Sequence, residues 1–103
     1  MKRVKRRYLA LQLETEGLPS EKEFMDAVWG AVAKLYGEFG ASLTSLALIN
    51  LDAERKVAVV RTSLDSFGFV RASLASITTV AGKEACVHVL AVSGTIKALL
   101  EKL

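Results

Sequence analysis

The chain has 103 residues, room for one domain but not two. An apolar share of 51% against 24% charged residues excludes intrinsic disorder, and no apolar run approaches the ~18–20 residues that span a bilayer. The net charge of +3 conceals an asymmetry: Lys2, Arg3, Lys5, Arg6 and Arg7 crowd into the first seven residues and leave residues 8–103 slightly acidic. The sequence therefore reads as a basic N-terminal arm over 1–7 and a single near-neutral domain over 8–103, and such an arm either suits phosphate backbones or an acidic membrane surface or is a solvated, frayed terminus. The basic start has neither a long apolar stretch nor a small-residue cleavage site, so no secretory leader is expected. Cys86 is the only cysteine, which excludes an internal disulfide and fits a reducing cytoplasm.

RYLALQLE (7–14) alternates, with Leu9, Leu11 and Leu13 on one face and Tyr8, Ala10 and Gln12 on the other, the signature of a half-buried strand. Gly17, Pro19 and Ser20 announce a helix, Ser20 as its cap and Glu21, Glu23 and Asp26 as negative charge near its start. Phe24, Val28, Ala31, Val32 and Leu35 form its apolar stripe, and Gly37 and Gly40 are expected to end it. Residues 43–51 and 56–62 read as strands joined by a hairpin over Asp52–Arg55. From Ser66 to Thr79 the period becomes helical, with Phe67, Val70, Leu74 and Ile77 on one face, Phe69, Ala72 and Ser73 flanking it, and Gly82 closing the segment. EACVHVLAV (84–92) is a strand, and SGTIKALLEKL (93–103) opens with a cap-like Ser-Gly-Thr and continues as a short helix.

The order strand-helix-strand-strand-helix-strand plus a final helix predicts an α+β, ferredoxin-like or RRM-like antiparallel sheet with two helices on one face. The later strands are apolar on both faces: Leu46 and Leu48 oppose Ala47 and Ile49, Val57 and Val59 oppose Ala58 and Val60, and Val87 and Val89 oppose Cys86, Leu90 and Val92. The second sheet face must then be covered by the C-terminal helix, by a partner or by another copy of the chain.

Few patterns point to chemistry. Cys86-x-His88 has no second Cys or His to complete a zinc site, and a packed cysteine with a partly buried histidine is the expectation. Ala81-Gly82-Lys83 lacks the remaining glycine and Ser/Thr of a P-loop. No catalytic or metal-binding constellation and no cofactor are expected. Phe67-Gly68-Phe69-Val70 matches the middle of the octamer with which RNA-recognition motifs stack bases, but it follows the third strand and begins a helix. Phe67 and Val70 are therefore expected in the core and Phe69 at its flank, leaving Arg71 able to reach RNA or a partner. Ser93-Gly94-Thr95-Ile96-Lys97 lies at a strand-to-helix junction. Free backbone N–H groups, a hydroxyl and a lysine there suit a phosphate, or else form an ordinary helix cap.

Six segments in order carry a family resemblance: Arg6-Arg7-Tyr8-Leu9-Ala10, Ala27-Val28-Trp29-Gly30-Ala31, Tyr36-Gly37-Glu38-Phe39-Gly40-Ala41, Val59-Val60-Arg61-Thr62, Val70-Arg71-Ala72-Ser73-Leu74 and Leu90-Ala91-Val92-Ser93-Gly94-Thr95-Ile96-Lys97. With them the chain resembles the archaeal ribonuclease P protein component 2 family, relatives of the eukaryotic Pop-five proteins. The resemblance implies a non-catalytic subunit of the ribonucleoprotein that removes 5′ leaders from precursor tRNA, supporting the catalytic domain of an RNA that itself binds the magnesium. It implies ribonuclease P RNA and the TIM-barrel-like component 3 as partners, a possible self-dimer, and precursor tRNA as an indirect contact. Candidate RNA-contacting residues are Lys2, Arg3, Lys5, Arg6, Arg7, Arg61, Arg71, Ser93, Gly94, Thr95 and Lys97. A stand-alone RNA-binding RRM-like module and a dimeric ligand-binding regulatory domain are the competing readings.

Overall fold

The computed structural model describes residues 5–17, 19–42, 46–52 and 54–103, with residues 38–42 as backbone only. Its elements are β1 (Arg6–Thr15), α1 (Glu21–Ser42), β2 (Ala47–Asp52), β3 (Val57–Ser63), α2 (Phe67–Ala75), β4 (Thr79–Val80), β5 (Lys83–Ser93) and α3 (Ile96–Lys102). β1 lies at the centre of a sheet ordered β2-β3-β1-β5-β4, antiparallel to β3 on one side and to β5 on the other. This is the expected ferredoxin-like arrangement, and its core is built on the alternation of β1. Leu9, Leu11 and Leu13 are all but fully buried and pack with Phe24 and Val28 of α1 and Val70 and Leu74 of α2.

Local chemistry explains most boundaries. The Ser20 Oγ accepts from the Glu23 amide at 3.2 Å while Glu23 Oε1 accepts from the Ser20 amide at 3.0 Å, a reciprocal capping box that starts α1. The Asp52 carboxylate accepts from the Arg55 amide at 3.2 Å in the β2–β3 turn, where Lys56 has a positive φ of 57°. Residues 43–45 of the expected second strand, and residue 53 of the hairpin, lie outside the described residues. The Gly-Lys pair that cannot be a P-loop is instead a hairpin corner. Ala81 (φ 54°) and Gly82 (φ 78°) form a two-residue turn between β4 and β5, which pair through Val80 and Lys83.

The structure departs from the sequence expectation in several places. Gly37 (φ 77°, ψ 169°) interrupts α1 as expected, but helical backbone resumes and continues through Gly40 to Ser42. The second helix ends at Ala75 rather than Thr79, since residues 79–80 pair with β5 as a short strand. Leu35, assigned to the apolar stripe, is 47% exposed, and Val32 is the last fully buried side chain among the described ones of α1.

Two register shifts redistribute side chains between the sheet faces. Between β1 and β5, Ala10 faces Ala91 but Leu11 faces Val89, leaving Leu90 as an extra residue. The slip turns Val92 onto the main core, opposite Leu9, whereas strict alternation placed it with Cys86 and Leu90. Ile49 is the corresponding extra residue in β2, and beyond it Leu51 reaches the main core.

On the second sheet face α3 supplies a small independent core. Leu99 is fully buried against Ala10 and Val59, with Tyr8 and Ala91 beside it. Thr95 caps this helix, its hydroxyl accepting from the Ala98 amide at 3.2 Å, and the Lys102 ammonium donates to the Val92 carbonyl at 2.7 Å. Coverage is incomplete. Leu90, Leu100 and Leu103 remain about half exposed, around an apolar groove of about 330 Å³ that also takes in Val57 and Val59.

Leu99→Ala is expected to cost about 2–5 kcal/mol in a urea unfolding titration, whereas Leu100→Ala on the same helix stays within about 0.5 kcal/mol.

Candidate nucleic-acid interface

The antiparallel ladders decide which charged residues share an end of the molecule. β1 starts with Arg6 opposite Ser63, Arg7 opposite Thr62 and Tyr8 opposite Arg61, which places the start of β1 beside the end of β3. On its other side Tyr8 faces Ser93, so the end of β5 and the following Gly94-Thr95 lie at the same end. The Lys5 carbonyl accepts from the Leu64 amide at 2.8 Å, which ties down the chain before β1. Arg6 and Arg7, expected in the arm, are thus ladder residues whose side chains are positioned by the sheet. Arg7 Nη1 donates to the Arg6 carbonyl at 3.0 Å and lies 3.4 Å from where a Cβ on Gly94 would stand. The arm's first cations, Lys2 and Arg3, lie outside the described residues.

Both layer helices bring further groups to this end. From Glu21, at the far end of β1, α1 returns over the sheet for roughly 24 Å at 1.5 Å per residue, and it carries Lys34 and Tyr36 near the start of β2. α2 follows β3 after a three-residue link and holds Arg71 in its second turn, the guanidinium carbon 5.9 Å from the centre of the Phe67 ring. At the opposite end lie most of the described acids: Glu14 and Glu16, Glu21, Glu23 and Asp26 of the α1 entry, Asp52 and Glu54 of the hairpin, and Glu84. The remaining described carboxylates are Asp65, between β3 and α2, and Glu101, on α3. Among the described residues the one ion pair is His88–Glu14 at 3.4 Å, so Lys5, Arg6, Arg7, Arg61, Arg71 and Lys97 have no carboxylate partner there. The other end also carries Lys22, Arg55, Lys56 and Lys83, but acids outnumber cations there, and an excess of positive charge at one end with an excess of acids at the other is a field that orients a polyanion.

Several assignments change at this level. In Ser93-Gly94-Thr95-Ile96-Lys97 the Thr95 hydroxyl is occupied as a helix cap and Ser93 Oγ accepts from the Thr95 amide at 3.5 Å. The segment thus forms a helix cap, and its Gly94 abuts Arg7. Cys86 and His88 are exposed rather than packed. They lie on the stretch of the second face beyond α3, where His88 meets Glu14. No group of three or more His, Cys, Asp or Glu side chains comes together among the described residues. Phe69 does not flank the core. It is 46% exposed and stacks on Tyr36, itself 36% exposed, with ring centres 4.4 Å apart and planes inclined by 29°. The apolar stripe concealed this pair, because helical spacing cannot show that Leu35, Tyr36 and Phe69 lie beyond the packed layer.

Fold and surface together define a ferredoxin-like α+β domain with a cation-lined end, built from the start of β1 and the ends of β3 and β5. Residues 7–103 match the model of the Rpp14/Pop5 family, and the chain belongs to that family. It is 32% identical to ribonuclease P protein component 2 of Pyrococcus furiosus over 100 residues, 97% of this chain and 83% of that protein. It is 34% identical to the protein of the same name from Methanosarcina mazei, over 97% of this chain and 84% of that one. In fold it is similar to a chain in the cryo-EM structure of yeast ribonuclease MRP, with a TM-score of 0.75 at 14% identity, covering 92% of this chain and 78% of that one. No helix among the described residues is long and apolar enough to cross a membrane.

Gly94 has no positive φ, so its backbone does not require glycine, and an added methyl meets only the movable end of Arg7. Gly94→Ala is expected to leave the thermal unfolding midpoint within about 2 °C of the parent while weakening RNA binding if a phosphate approaches this backbone, as parallel calorimetry and filter binding would measure.

Proposed function

We infer that the chain acts as a protein subunit of ribonuclease P, the ribonucleoprotein that removes 5′ leaders from precursor tRNA. The observation that carries this reading is the basic end of the sheet, where Arg6, Arg7 and Arg61 from two paired strands meet the SGTIK junction in a member of the Rpp14/Pop5 family. Guanidinium groups on a rigid ladder suit phosphate oxygens, which they can grip with two parallel hydrogen bonds. In this reading the RNA performs the cleavage and holds the magnesium. The protein contributes fixed positive charge that lets RNA strands approach each other, and no residue of this chain performs a chemical step.

The same reading assigns a protein partner to the second sheet face. The groove bounded by Val57, Leu90, Leu100 and Leu103 leaves apolar surface uncovered next to α3, and the expected TIM-barrel-like component 3 would cover it, with self-association as a further use of exposed apolar surface.

Reconstitution tests the function. With ribonuclease P RNA from a related archaeon and component 3, the chain is expected to lower the magnesium concentration needed for precursor-tRNA cleavage, and the absence of any stimulation would refute the reading. The basic end has its own signature. Replacing Arg7 and Arg61 together by Gln is expected to weaken RNA binding across sequences and to leave the unfolding free energy little changed. The plot of log affinity against log salt should flatten by about 0.7–0.9 for each phosphate that is no longer neutralised.

A further inference from the structure

We propose that the stacked Phe69–Tyr36 pair is a platform for an unpaired RNA base, a role that rests on the RNA-binding reading above and assigns it a second kind of contact. The two rings come from different helices, Phe69 from the first turn of α2 and Tyr36 from α1 just before the Gly37 interruption. They meet at 4.4 Å with nearly parallel planes, yet retain 46% and 36% of their surface open to solvent. An aromatic pair serving only the core would bury that surface. This one joins two helices with its outer surface open, and a planar base laid against it extends an existing stack.

The surroundings favour a nucleic acid over an apolar protein segment. On α2 the Arg71 guanidinium stands over the neighbouring Phe67 ring, 5.9 Å from its centre, which brings a cation to the same helix as Phe69. Both helices present the pair at the end of the molecule where β1 begins, with Arg7 on the helix-covered face of the sheet and Arg6 and Arg61 on the other. A strand whose phosphates meet Arg7 at this end can turn its bases toward the rings. The sheet offers no equivalent surface. Where RNA-recognition motifs display base-stacking aromatics on the sheet, α3 lays Leu99 over Ala10 and Val59, and Tyr8 is partly buried beside them. The aromatic contact has moved from the sheet to the ends of the helices.

The test uses the full chain and two probes, a single-stranded RNA dodecamer containing 2-aminopurine and a blunt RNA duplex of equal length. The parent chain should bind both with a steep salt dependence and quench the 2-aminopurine of the single strand. Phe69→Leu should lose about five- to 100-fold in affinity for the single strand, together with the quenching, while duplex binding and the salt slope stay unchanged. Phe69→Trp should keep the quenching, and Tyr36→Leu should reduce it, which provides a reading if Phe69→Leu folds poorly. If the parent binds both probes but Phe69→Leu quenches and binds like the parent, the stacking proposal is overturned and the pair is left as a protein contact. If the parent binds neither probe at low salt, the RNA-binding reading itself fails.

Discussion

Everything in this molecule is arranged around the double pairing of β1. One strand makes ladders with β3 and β5, so its leucines fill the main core while its opposite face, with Ala10, receives α3. A central strand cannot slip by one residue without exchanging its two faces, and three successive buried leucines make such a slip very costly. The register that buries Leu9, Leu11 and Leu13 is therefore the one that sets Arg6 against Ser63, Arg7 against Thr62 and Tyr8 against both Arg61 and Ser93. Hydrophobic packing at the centre of the strand positions charge at its beginning.

Functional polarity follows from that constraint. Antiparallel strands and returning helices send the start of β1, the ends of β3 and β5, the Tyr36 region of α1 and the start of α2 to one end, and the acidic turns to the other. Chain connectivity alone sorts the charges, although most of them are far apart in sequence. Fixed cations on a rigid ladder lose little entropy when they meet a phosphate, which suits a protein that assists an RNA rather than acting by itself.

The bulges at Ile49 and Leu90 have a comparable effect on the second face. Each inserts one residue, sends the following apolar residues to the main core and leaves its own side chain outside. The apolar surface that remains beside α3 is consequently a groove around Leu90, Leu100 and Leu103 rather than a continuous sheet face. A domain that covers part of such a face with its own helix and leaves the rest open is suited to a larger assembly.

Much of this was legible in the sequence. The period-2 leucines of β1, the Ser20 cap and the Phe24-Val28-Val32 stripe specify strand and helix through local geometry, and they lead to the correct element order. The family resemblance rests on short segments along most of the chain. What the sequence could not reveal depended on neighbours distant in the chain. Alternation placed Val92 on the wrong face because a bulge is fixed by the partner strand. Helical spacing put Leu35 and Phe69 with the core because it does not report where the packed layer stops, and Cys86 and His88 seemed buried because coverage by α3 could not be measured along a strand. Sequence alone determined which residues are basic and which elements they belong to. Only the tertiary structure gathered Arg7, Arg61 and Gly94 at one end and stacked Tyr36 on Phe69, because strand register and helix docking join residues that no local pattern connects.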